Sequence, residues 1–237
     1  MSSARDDILG RIRGKLGADK RDASEQAVAE RLKRTGPQPG QNPIPARGQL
    51  AAPERLALFR EMAEAVDATV AVVGSLDDVP TSVTGYLAEN NLPAEAVMSP
   101  DARMDEIPWA DQPLLTLRRG RAEDADAVGI TPVNAAIAET GTLMMTSGAE
   151  TPVTLNFMPD THIAIVQASQ IVGTYEETWG ELRGRTPRDG DGNFMPRAVN
   201  WVTGPSRSAD IAKTLFLGAH GPRRLHIVVV DDNDEKT

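Results

Sequence analysis

"LHIVVVDD", residues 225–232, is short, apolar at successive positions and ends in two aspartates. Such a run is too brief for an ordinary helix, and its lack of alternation means that neither face is meant for water. It reads as a strand buried on both sides, the pattern of a parallel sheet covered by helices. "ATVAVVG" (68–74) and "HIAIVQ" (162–167) have the same character.

Shorter strand candidates are "AVM" (96–98), "PLLTL" (113–117), "AVGI" (127–130), "TLMMT" (142–146) and "AVNWVTG" (198–204). Helices are expected between them. One begins at Pro53, with Leu56, Phe59, Met62, Ala63 and Val66 as its apolar face. Others span 77–90, 131–138 (Thr131 as cap, Pro132 at the first position), about 175–182, and 208–218. Strands separated by helices predict an α/β fold with helices on both faces of a mainly parallel sheet.

Upstream, Ile8, Leu9, Ile12 and Leu16 recur at helical spacing before Gly17, and residues 23–32 suit a second helix. "TGPQPGQNPIPARG" (35–48) holds four prolines and three glycines, which forbid a regular element. The expected organisation is an N-terminal helical arm (1–34), a Pro/Gly-rich linker (35–49) and an α/β domain (50–232). Residues 183–197 are expected to form a polar loop.

Composition narrows the function classes. The 237 residues carry 25 Lys+Arg against 34 Asp+Glu, a formal charge of -9, which disfavours nucleic acid and anionic lipid. There is no cysteine, so disulfides, thiol nucleophiles and cysteine-ligated clusters or zinc are excluded. No signal-peptide-like or membrane-spanning apolar run is present. A cytoplasmic protein without flavin, zinc or iron–sulfur cluster of its own is expected.

Two stretches can carry chemistry. In "IAETGTLMMTSG" (137–148), Glu139 stands at a tight junction beside Thr140, Gly141 and Thr142. Either it closes a turn, or it points into a site. In "VTGPSRSADIAKTLFLGAHG" (202–221), Gly204, Ser206, Arg207 and Ser208 precede an expected helix, whose N-terminus would suit an anion. The alternative is serine capping with Arg207 paired to Asp210. His220 is the best acid–base candidate of three histidines, and none has metal-ligand spacing. Gathering at the carboxyl edge of the sheet would place Glu139 and the Ser206 segment in one pocket.

"GITPVNAAIAETGTLMMTSG", "MPDTHIAIVQASQIV" and "TGPSRSADIAKTLFLGAHGPRRLHIVVVDD" closely resemble the lactate utilization protein C family, the LUD domain. The resemblance implies a fold like the sugar-phosphate isomerase and coenzyme A transferase group. It also implies a part in oxidising L-lactate to pyruvate with iron–sulfur partner proteins. By fold analogy with coenzyme A transferases, Glu139 is a candidate nucleophile, so acyl or coenzyme A transfer is an alternative. A carboxylate-binding regulatory module is another. The chain departs from its relatives at Val153, where an arginine is expected, and at Asn156, where a serine is expected.

Overall fold

The computed structural model describes residues 4–16, 18–33, 44–185, 195–209 and 215–232. The chain divides into two units, 1–42 and 43–237. The first holds α1 (Ala4–Leu16) and α2 (Ala18–Lys33). The second continues with α3 (Ala52–Glu64), β1 (Thr69–Val73), α4 (Val79–Glu89), β2 (Glu95–Met98), β3 (Thr116–Arg119), β4 (Val128–Pro132), β5 (Ala135–Ile137) and β6 (Thr142–Thr146). It ends with α5 (Thr154–Phe157), β7 (Thr161–Gln167), β8 (Ile171–Val172), α6 (Tyr175–Arg185), β9 (Val199–Val202), β10 (Arg207–Ala209), β11 (Leu215–Leu217) and β12 (Arg224–Val230).

Six strands form the main sheet in the order β1-β12-β7-β4-β2-β3. Every neighbouring pair is parallel. The opening stretch, β12, lies between β1 and β7 and is buried from Leu225 to Val230. Its residues alternate between two apolar layers. Leu225, Ile227 and Val229 meet Phe59 and Ala63 of α3. Val228 and Val230 meet Val79, Val83 and Leu87 of α4. Helices therefore cover both faces, which is why no polar alternation is visible in the strand.

A second sheet, β8-β5-β6-β9, is mixed. Its Ala136, Leu143, Met145 and Ile171 share the α3 layer. Its other side packs Ala135 and Met144 on Leu182 of α6.

The structure corrects several expectations. The helix expected over 131–138 is absent. Thr131 and Pro132 end β4, and residues 135–137 form β5. Pro132 is tolerated because β2 reaches only Gly129 and Ile130 of β4, so no partner there needs its missing N–H. The helix expected over 208–218 is also wrong in its described residues: β10 and β11 pair antiparallel, with 210–214 outside the described residues. Backbone bonds from Ser206 N to Pro222 O and from Gly218 N to Ser206 O close this hairpin. β3 begins three residues later than expected, at Thr116. Of the expected linker, 35–43 lies outside the described residues, whereas Ala46–Gln49 forms a 3-10 turn with Gly48 buried. In the expected loop over 183–197, residues 183–185 complete α6 and 186–194 lie outside the described residues.

Candidate functional site

The Glu139 corner is a β5–β6 turn held by α3 and by the segment after β8. Glu139 N donates to Gly173 O at 3.2 Å. Gly141 has φ +64, and a Cβ there would stand 2.3 Å from Ala63 N, so only glycine lets the turn lie on α3. Behind it, hydroxyls form a chain. Thr142 Oγ1 meets Thr140 Oγ1 at 2.8 Å, Tyr175 Oη at 2.9 Å and Thr203 Oγ1 at 2.7 Å. Thr140 Oγ1 also donates to Tyr175 Oη at 3.2 Å. These threonines thus satisfy one another and the turn.

Glu139 itself is 6% exposed. Its Oε2 lies beneath Gly48, whose Cβ, if present, would be 3.6 Å away. Among the described residues no hydrogen bond or ion pair reaches the carboxylate. Attack on a bulky acyl donor from this position would require the Gly48 segment to move first.

The second stretch is linked to the first at Thr203 and Gly204. Gly204, φ +75, packs on Val66, where a Cβ would lie 2.4 Å from the Val66 carbonyl oxygen. From there the chain turns away. Arg207 forms an ion pair with Asp67. Ser206 Oγ accepts from His220 N at 3.2 Å, and His220 is exposed. With no helix at 207–209, the helix-terminus rationale for an anion site at Ser206 and Ser208 lapses.

Both stretches sit toward the amino edge of the main sheet, not the carboxyl edge. Ser206 bonds Pro222, two residues before β12, and Arg223 N bonds Asp160 O, just before β7. Gly141 touches Ala63, which accepts from Ala68 N just before β1. The reason is the second sheet, which carries the chain back down over α3 after β4.

The carboxyl edge holds a different concavity, one that spacing alone did not reveal. An open cleft lies among Leu76, Met104, Pro132 and Ile165, with Arg103, Glu106, Gln167 and Gln170 also lining it. Its residues come from four separate segments, so no local motif announces it. Arg103 is already engaged: Nε and Nη2 donate to Asp101 at 3.0 and 2.7 Å, and Nη1 to Val133 O at 2.8 Å. Burial pushes the Asp101 carboxyl up, but the Arg103 hydrogen bonds and charge outweigh it, leaving Asp101 below its ordinary value. The cleft therefore offers apolar surface, two amides and the Glu106 carboxylate rather than a free cation.

Two histidines are structural. His162 Nε2 meets Thr131 Oγ1 at 2.7 Å between the two sheets, and burial lowers its pKa to about 4. His226 stacks on Tyr86 with ring centroids 3.9 Å apart, and burial likewise lowers it to about 4. Among the described residues no group of three or more His, Asp or Glu is arranged to hold a metal ion. Val153 precedes α5, and Asn156 in that helix is buried.

Known proteins resemble this chain in sequence and in fold. A lactate utilization protein C of Geobacillus sp. is 38% identical over 111 residues, 47% of this chain and 44% of the relative. One from Exiguobacterium sp. is 37% identical over 124 residues, 52% of each. The chain thus spans about half the length of the curated relatives it matches. The crystal structure of a duf162 family protein from Deinococcus radiodurans covers 76% of this chain and 99% of its own, at 25% identity and a TM-score of 0.54. Residues 56–230 match the LUD domain, and the chain belongs to that family.

Proposed function

We propose that this chain is a component of a cytoplasmic system that oxidises L-lactate to pyruvate together with iron–sulfur partner proteins. The observation that carries this reading is the 36–38% identity to relatives named lactate utilization protein C. Oxidation of a 2-hydroxy acid to a 2-oxo acid releases two electrons and two protons. A chain without cysteine offers no thiolate to a cluster, so in this reading the electrons pass to partners. The chain's own part is to hold the substrate, with Glu139 as the group that faces its hydroxyl. It carries no cluster, flavin or zinc itself.

Deleting the gene should abolish growth on L-lactate as sole carbon source while leaving growth on pyruvate intact. A tagged copy should co-purify with iron-containing proteins whose absorbance bleaches on reduction by L-lactate. Undiminished growth of the deletion strain on L-lactate would reject the reading.

A further inference from the structure

The chain leaves neighbouring strands of the main sheet in opposite directions. β2 and β4 pair side by side. After β2, Met104 and Ile107 pack into the apolar layer of α4, as Leu76 does after β1. After β4, Val133 and Ala136 enter the layer of α3, as Ala168 does after β7. Connections that part to opposite faces leave a crevice at the carboxyl edge, the place where an open parallel sheet has room for a ligand. The cleft among Leu76, Met104, Pro132 and Ile165 opens there.

Its polar groups differ in what they have left to offer. Arg103 spans the parting, bonded to Asp101 on one side and to Val133 O on the other. Gln170 is likewise engaged: its Oε1 accepts from Gln167 N at 2.9 Å and its Nε2 donates to Val133 O at 3.1 Å. The side chains of Glu106 and Gln167 make no hydrogen bond or ion pair among the described residues. With Arg103 neutralised by Asp101, the charge that remains on the lining is the Glu106 carboxylate. Asp232 adds a second negative charge nearby, accepting from Ser169 N at 2.8 Å next to Gln170. An anion would meet repulsion and no unspent cation, whereas a cation would meet an acceptor beside apolar walls.

We propose that this cleft binds a small organic amine, with its apolar body on Leu76, Met104, Ile107 and Ile165 and its ammonium facing Glu106. The Gln167 carbonyl oxygen is a further acceptor for it. The site does not rest on the lactate reading above, since lactate is an anion and the Glu139 corner lies at the other edge of the sheet.

The test is titration of the methyl-labelled full chain with n-hexylamine, n-hexanol and hexanoate at neutral pH, where the first is a cation and the last an anion. Hexylamine should shift the Met104, Ile107 and Ile165 methyl signals saturably, with a dissociation constant of about millimolar, the range open to so small a ligand. Hexanol should bind about fivefold more weakly, the worth of one screened charge pair, and hexanoate more weakly still. High salt should erase the advantage of hexylamine over hexanol. Glu106→Gln, a change at an exposed position, should bring hexylamine to the level of hexanol, and Glu106→Lys should make hexanoate the tighter of the two ions. Hexanoate binding the parent as tightly as hexylamine, or a hexylamine affinity unmoved by Glu106→Gln, would overturn the proposal. So would shifts confined to Ile8 and Ile12 of the arm, or no saturable shift at the cleft.

Discussion

His162 shows what burial does to one residue. It sits between the two sheets, bonded to Thr131 through Nε2, with Nδ1 unpaired. Its pKa is about 4 in the fold against an ordinary 6.5. On acidification the unfolded chain therefore takes the proton first. Stability is fully present above pH 6.5 and is lost as pH falls toward 4, a contribution of about 3 kcal/mol at most. His226 adds a second contribution of the same sign in the same window. Urea unfolding from pH 4.5 to 6.5 should show stability rising with pH, and His162→Gln should remove roughly half of the histidine part of that slope. At the same scale, Arg207 was placed in an anion site by its position after Ser206, whereas its charge is spent on Asp67. A pair so far apart in sequence leaves no local trace.

At the scale of elements, the two expected helices that became strands share a cause. Residues 131–138 carry helix-start residues, but almost everything after Pro132 is small and apolar, and the segment is wanted on both faces by neighbours it meets only in the fold. β5 is buried throughout, between β8 and β6. The 206–222 segment likewise has a helix-like composition, and its backbone partners, Pro222 and Gly218, are supplied by the return strand. The Glu139 turn depends on α3 in the same way. Gly141→Ala should cost about 3 kcal/mol, combining left-handed backbone with overpacking against Ala63, and chemical denaturation would measure it. If the cost were within 0.5 kcal/mol, roughly the range of an ordinary surface change, the close approach to α3 would be of no consequence.

For the whole molecule, the division at residues 42 and 43 makes the body a separate unit. Limited proteolysis between residues 34 and 43 should release the two-helix arm and leave a body that unfolds in one cooperative transition. A body that loses that transition on cleavage would mean the arm is needed for the core. No described helix is long and apolar enough to cross a membrane. The two edges of the main sheet divide the chemistry. The carboxyl edge holds the open cleft beside Pro132 and Gln167, and the amino edge holds the covered Glu139 corner.

The sequence alone determined the parallel sheet, because central strands buried on both faces must be apolar at successive positions, as 163–166 and 227–230 are. It also determined the LUD resemblance and the absence of thiol chemistry, which are matters of residue identity. It marked Glu139 as unusual, since a charge between two apolar runs is legible without a fold. Only the tertiary structure decided what surrounds that charge. Gly48 and Gly173 come from separate elements, and their convergence depends on a second sheet folding back over α3. That sheet also moved the corner to the amino edge, because local sequence encodes the direction of a strand's burial but not the layer in which the chain returns.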